Sequence, residues 1–356
     1  MNKLRFLFLL LLPFSVEAQQ VPMFSQYLWN HYLINPAVGG AENFMEAKAG
    51  HRNQWTGLPG APRSIYMTGH SQIGKKTINR ESVDVVPSED GEYKEPGRLG
   101  RLLGYKRREN ATVPSGYKVK PHHGVGGMVM LDQAGLYSNA SVHASYAYHI
   151  PLTPKVYASM GAFIGVRQHR MDWSRAVLEE DGDMAIAYNN NMHGLVPDAM
   201  VGMMVYGERF YTGFSINQLL AGEAAFGNQV QPHVTGVYNM ERHYFFTGGY
   251  RMRISDEVAL VPSTLVRFFP GTVPAVDLTV KANYMDLLWG GVSYRTADAV
   301  VFLIGFTYAD RFDFGYSYDI SMLDGNRYHR PNSHEIMLGL RIINRKYGNA
   351  RPSFVW

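Results

Sequence analysis

The chain has 356 residues, of which 13% are aromatic, 36 are glycine and none is cysteine. Its net charge of +4 is too mild to argue for a nucleic-acid partner. The mean hydropathy is -0.19 and no stretch approaches the length of a spanning helix, so a helical membrane protein is excluded, as are disulfides.

Residues 1–18 carry Lys3 and Arg5, an apolar run from Phe6 to Leu12, and Val16-Glu17-Ala18, which predicts a signal peptide cleaved after Ala18 and hence export. Residues 22–40 lack any period of two and contain Asn35-Pro36 and Gly39-Gly40, so residues 19–43 read as a lead-in or plug. Proline disfavours helix at the residue before it, which places a break at Asn35. Ser25, Gln26, Asn30 and Asn35 supply hydrogen-bonding groups, and Tyr27, Trp29 and Tyr32 supply bulk to fill a small lumen. A flexible periplasmic tail is the alternative.

From residue 44 to the end the chain alternates apolar and polar positions in segments of about ten residues, the pattern of strands with two unlike faces. Candidates in chain order are 44–52, 63–72, 123–131, 138–150, 155–169, 198–206, 209–217, 233–240, 243–254, 257–268, 275–284, 287–296, 299–308, 311–319 and 334–343. The segment 311–319 is the clearest: Phe312, Phe314, Tyr316 and Tyr318 share one face, and Arg311, Asp313, Ser317 and Asp319 share the other. A soluble sandwich has the same period. Long strands, aromatics near strand ends (Tyr146, Tyr148, Phe268, Phe269) and very short turns (Gly207-Glu208, Glu241-Arg242, Met285-Asp286) favour an all-β, antiparallel outer-membrane barrel. Bacterial single-chain barrels have an even strand number, so one of the fifteen candidates is expected to fail, leaving about fourteen. Arg introduced at Val280 or Tyr250 is then expected to be costly, and at Thr279 or Thr247, on a wet lumen, cheap.

Residues 73–122 break the pattern as a long charged insertion, with acids mainly at 81–95 and bases at 94–108. It reads as a solvated loop, with a docking element as the alternative. On the polar faces, Arg251, Arg253, Asp277, Lys281, Arg295, Arg311, Asp313 and Arg341 are expected to form paired networks, because unpaired charge in a narrow lumen is costly. These networks would close the lumen or anchor the N-terminal segment. An open, anion-favouring pore is the other possibility.

No catalytic, cofactor or metal residues are assigned. Ser333-His334-Glu335 contains the residue types of a hydrolase, but strand geometry turns His334 away from its neighbours. Glu179-Glu180-Asp181-Gly182-Asp183 offers oxygen ligands without EF-hand spacing, and His122-His123 lacks further zinc ligands.

Several motifs in order along the chain resemble the PorP/SprF family, outer-membrane proteins of the type IX secretion and gliding machinery of Bacteroidetes. They are Met23-Phe24-Ser25-Gln26-Tyr27, Asn35-Pro36-Ala37 and Gly39-Gly40, then His51 through Gly57 (including Trp55) with Gly60-Ala61-Pro62. Asp132 with Gly135 and Ser145-Tyr146-Ala147-Tyr148 follow. Gly291 through Arg295, Gly315-Tyr316-Ser317-Tyr318-Asp319 and Ser333-His334-Glu335-Ile336 complete the set. The resemblance implies a barrel without enzymatic activity that supports secretion or surface attachment of a protein cargo with a C-terminal sorting domain. It also implies periplasmic or peptidoglycan-bound partners and contact with outer-membrane lipid. Relatives usually have a short connection where residues 73–122 stand. An outer-membrane channel or hydrophobic-solute transporter is the alternative.

Overall fold

Fourteen of the fifteen alternating segments join one closed antiparallel sheet in the computed structural model. The structure describes residues 23–42, 44–73, 121–153, 155–172, 192–220, 223–226, 236–255, 257–296, 298–309, 311–322, 324–325, 328–329 and 331–342. The signal-peptide reading, most of the charged insertion and the acidic run at 179–183 lie outside these residues.

The first seven barrel strands are β1 (Met45–Asn53), β2 (Arg63–Ile73), β3 (His122–Ala134), β4 (Tyr137–Thr153), β5 (Val156–Met171), β6 (Met192–Gly207) and β7 (Phe210–Asn217). The second seven begin with β8, His243–Tyr250 continued after Arg251 by Met252–Arg253, and β9 (Val258–Phe268). They go on with β10 (Ala275–Tyr284), β11 (Leu288–Arg295), β12 (Ala299–Tyr308), β13 (Phe312–Ser321) and β14 (Ser333–Ile342). Each strand pairs with its sequence neighbours, and β14 closes on β1 with Met45 opposite Ile342 and Asn53 opposite His334. The candidate at 233–240 is the surplus one. Its Gly236–Asn239 pairs only with Glu223–Phe226 in a separate two-stranded ribbon, so Glu241-Arg242 is not a barrel turn. A four-residue strand has the local alternation but is too short to cross a bilayer, which needs about nine to eleven residues.

The apolar face points outward. On β10, Leu278 and Val280 are exposed while Asp277, Thr279 and Lys281 are buried, and β4 and β13 repeat the pattern. Closure gives each barrel strand a partner on both sides, which a bilayer requires because lipid offers backbone groups no partner. Outward aromatics gather at both ends of the wall. Tyr148, Tyr250, Tyr284, Tyr308 and Phe312 lie near one rim, and Tyr244, Phe268, Tyr294 and Tyr318 near the other. These are the two interfacial girdles of a membrane barrel.

The first rim receives both ends of the barrel chain and the turns 154–155, 208–209, 285–287 and 309–311. The opposite rim carries the connections 54–62, 172–191, 218–242 and 322–332. Barrels have short periplasmic turns and longer outer loops, so the first rim faces the periplasm. The connection from Ile73 to His122 leaves and rejoins the wall at that rim.

This geometry refines the expected cost of charge on each face. Val280→Arg, at a position 53% exposed to lipid, is expected to destabilise by ~2–4 kcal/mol, whereas Tyr250→Arg at the rim costs ~0–1. Urea titration of the folded form in vesicles measures both, and a Val280→Arg variant as stable as the parent would show that this face is not in hydrocarbon. The expected tolerance at Thr279 and Thr247 does not survive, because both are buried against a filled lumen and Thr279 donates to Ser293 Oγ at 2.6 Å.

Candidate functional site: the occupied lumen

Residues 23–42 run inside the barrel as three short 3-10 turns, Ser25–Leu28, His31–Leu33 and Pro36–Val38. Every side chain in these turns is buried. The sequence explains why no long helix forms. Asn35 takes an extended backbone before Pro36, and its Oδ1 accepts the Ala37 N–H at 2.9 Å as an N-cap. The segment starts beside the outer ends of β13 and β14 and descends to the periplasmic ends of β2, β3 and β4, where it feeds β1.

At the outer end, Ser25 sits at the centre of a charge cluster. Its hydroxyl accepts from Arg52 Nη1 at 3.0 Å and Arg295 Nη2 at 3.3 Å, and donates to Asp319 Oδ2 at 2.8 Å. One donor and two acceptor sites are the full capacity of a hydroxyl. Its backbone N–H donates to Glu335 Oε2 at 2.6 Å. Arg52 also donates to Asp319 at 2.7 Å and Glu335 at 3.3 Å, and Tyr66 donates to Glu335 Oε1 at 3.2 Å. Arg295 lies 3.2 Å from Asp277, which Arg267 approaches at 3.0 Å.

Midway, Trp29 stacks on Trp289 with ring centroids 4.7 Å apart, joins a buried apolar cluster with Val301, Leu303 and Met337, and has cations close by. Lys281 lies 4.7 Å from the Trp29 ring centroid, and Arg341 5.8 Å. Lys48 donates to the Trp29 carbonyl and pairs with Glu46 at 2.9 Å, while Arg341 pairs with Asp313 at 2.8 Å. His31, in the second turn, is buried, with its ring 4.7 Å from that of Tyr211 in an edge-on contact.

At the lower end the contacts are to backbone. Ser159 donates to the Ala37 carbonyl at 2.9 Å, His149 Nε2–H to Gly39 O at 2.8 Å, and Asn35 Nδ2 to Met203 O at 3.1 Å. The wall here is made of glycine. A Cβ on Gly202 would stand 2.1 Å from Asn35 Oδ1, and one on Gly161 2.7 Å from the Pro36 backbone. Gly202→Val should therefore push the turn at Asn35-Pro36 off the wall without breaking the ladder. The expected result is a barrel that still folds, with a lowered thermal midpoint and new protease cleavage between residues 23 and 42. Unchanged protease resistance would show that the wall yields instead.

The structure brings together most of the residues marked as candidates. Ser25, Gln26, Tyr27, Asn30, Asn35 and Pro36 are lumenal and buried, and Asn30 donates to Thr68 at 3.0 Å. Asp277, Lys281, Arg295, Asp313 and Arg341 line the same space. Three expected members do not. Arg253 and Arg311 are exposed beside turns, and Arg251 pairs with Asp286 at 2.6 Å at the periplasmic rim. The reason is position along the barrel: Arg251 interrupts β8 and Arg311 precedes β13, so neither has a lumen level to occupy. Residues not singled out as network members include Arg52, Glu46, Lys48 and Arg267, and separately Asp198 with Arg167 at 2.6 Å and His143 at 3.0 Å. Inward alternation on their strands was the available signal.

Ser333 and Glu335 face inward while His334 faces outward and hydrogen-bonds Tyr316 at 2.7 Å. His122 stacks on His149. The runs His51 through Gly57 and Ser333 through Ile336, far apart in sequence, meet at the closing seam. Arg52 is opposite Glu335, Trp55 N–H donates to Ser333 Oγ at 3.0 Å, and Gly57 takes a φ of 106° in the intervening turn.

A profile of the family described as "Type IX secretion system membrane protein PorP/SprF" matches residues 16–340. The chain belongs to the PorP/SprF family. It is an outer-membrane β-barrel of the type IX secretion system. No curated protein matches the chain. Similar solved structures include the CymD monoaromatic hydrocarbon channel, at 9% identity over 90% of this chain and 92% of that one, with a TM-score of 0.42. A Pseudomonas aeruginosa FadL homologue has 9% identity over 86% and 92%, with a TM-score of 0.44. The Pseudomonas putida toluene transporter TodX has 7% identity over 91% and 94%, with a TM-score of 0.43. Within this PorP/SprF barrel the two runs that carried the family resemblance most visibly, at the start and end of the chain, are the ones joined through Ser25, Arg52 and Glu335.

Proposed function

We propose that the protein is a non-enzymatic, closed barrel that supports secretion or surface attachment of a cargo protein bearing a C-terminal sorting domain. It does so in the gliding and secretion machinery, together with periplasmic or peptidoglycan-bound components. The observation that supports this reading is the N-terminal segment held in the lumen by Ser25, Arg52, Asp319 and Glu335. A solute channel works through a continuous lumen, whereas a barrel whose interior is occupied has its outer wall and rims to work with. The divergent faces of Ser333, His334 and Glu335 agree with a role other than hydrolysis.

The test combines two measurements on the wild-type protein. In planar bilayers it is expected to give no stable current. In cells lacking its gene, cargo carrying the sorting domain is expected to remain unsecreted or unattached until the gene is restored. A stable open-pore current with normal cargo export in the deletion strain would instead assign it to solute transport.

A further inference from the structure

Among the described residues, Lys281 is a buried cation of the lumen that meets no acid. It is 3% exposed, and its Nζ lies 4.7 Å from the Trp29 ring centroid. No carboxylate of the described residues stands within ion-pair distance of it, and no acceptor within hydrogen-bonding distance. An ammonium has three donors and no acceptor, and a ring face engages only one side of it. The acids at this level are already held. Glu46 pairs with Lys48 at 2.9 Å and His70 at 3.4 Å, and Asp313 pairs with Arg341 at 2.8 Å. Asp286, whose field reaches Lys281 from the rim, pairs with Arg251 at 2.6 Å. Four cations (Lys48, Arg251, Lys281 and Arg341) therefore stand here against three acids (Glu46, Asp286 and Asp313). The outer cluster has no such excess, since Arg52, Arg267 and Arg295 meet Asp277, Asp319 and Glu335. Uncompensated charge in a low-dielectric interior is costly, so the excess calls for an anion.

There is room for one beside it. A small cavity lies between the N-terminal segment, at Gln26, Leu28 and Trp29, and the wall, at Lys281, Trp289 and Leu303. Gly291, opposite Lys281 in the ladder, borders the same space and puts no side chain into it. The space is about that of one water molecule. The lining side chains are rich in donors. Besides the ammonium, the indole N–H groups of Trp29 and Trp289 and the carboxamide of Gln26 are buried without a hydrogen-bond partner. Leu28 and Leu303 offer nothing to a hydrated ion, so the occupant must shed its water. Phosphate and carboxylates are too large for the space. A monatomic halide meets all three conditions of charge, size and weak hydration.

We propose that the cavity beside Lys281 is a chloride site. The ion pins the N-terminal segment at Gln26 and Trp29 to the wall at Lys281 and Trp289.

The experiment melts the full mature protein in detergent, in sodium chloride and in sodium gluconate at equal ionic strength, and crystallises it with sodium bromide. Wild type is expected to melt at least about 2 °C higher in chloride, because a ligand bound only by the folded form raises the midpoint. Protease is expected to cut between residues 23 and 42 faster in gluconate. Lys281→Met is expected to lose both differences, while Lys155→Gln, at the periplasmic rim beside Glu208, keeps them. Trp29→Phe retains the ring and removes one indole N–H, so a shrunken difference in that variant carries the test where Lys281→Met does not fold. The anomalous signal of bromide is expected beside Lys281 Nζ in wild-type crystals. Equal wild-type midpoints in the two salts, or a full difference kept by Lys281→Met, would overturn the proposal. So would bromide found only at exposed cations such as Arg253 and Arg311, with water beside Lys281.

Discussion

Deleting residues 23–36 is expected to turn a silent barrel into a conducting pore. The wall does not depend on this segment for its backbone hydrogen bonds, which run between neighbouring strands around the closed sheet. The inward charges keep partial partners as well, because Arg295 still reaches Asp277 and Asp319, and Arg52 still reaches Asp319 and Glu335. What disappears is the filling. Phe24, Tyr27, Leu28, Tyr32, Leu33 and Ile34 are buried against inward Tyr66, Phe163, Met200, Met204 and Tyr211. Each large apolar side chain so removed gives up ~1.5–3 kcal/mol of burial. The variant is therefore expected to stay heat-modifiable, to melt well below the parent and to pass ions in planar bilayers. If the segment also presents the barrel correctly to its partners, recruitment of secretion components falls with it. Wild-type conductance, melting and recruitment together would show that the segment contributes nothing.

The second large effect is expected at Arg52. This side chain is 2% exposed and is held by two carboxylates and Ser25. Arg52→Leu leaves Asp319 with Arg295, but leaves Glu335 with neutral donors, the Ser25 and Gln26 backbone N–H groups and the Tyr66 hydroxyl, and no cation. Breaking a buried pair from one side typically costs ~3–5 kcal/mol, because the remaining charge stays desolvated. Urea unfolding in vesicles is expected to show a loss in that range. The double variant Arg52→Leu/Glu335→Leu should recover part of it, as both members of the pair become apolar. A cost below ~1 kcal/mol for the single variant would show that water reaches the cluster. Because Arg52 is on β1 and Glu335 on β14, the same substitution is expected to loosen the seam and the N-terminal segment together.

The alternation of β4, β10 and β13 marked the strands, and strand length, the aromatics near strand ends and the short turns pointed to a barrel with its apolar face outward, since a soluble sandwich has the same period. Asn35-Pro36 likewise marked a break that the structure keeps as an N-capped 3-10 turn. The even-number rule announced one surplus strand, but local pattern could not show that it was 233–240, because pairing partners are chosen by the whole sheet. The lumen was the least legible part. Arg251, Arg253 and Arg311 alternate like Arg295, yet only the height of each residue along the barrel decides whether it meets the interior or the rim. Tyr66, Phe163 and Met204 sit at inward positions where alternation predicted polar residues, and they read as noise until residues 23–42 are seen to cover them. Gly161 and Gly202 carry no signal of their own in a strand. Their reason lies on a segment more than a hundred residues away, which needs the space a side chain would take. Sequence by itself determined the strands, through their period, and their lipid face, through strand length, end aromatics and short turns. The tertiary structure decided what fills the lumen and which charges meet, because those contacts join residues that only closure of β1 on β14 and the return of the N-terminal segment bring within reach.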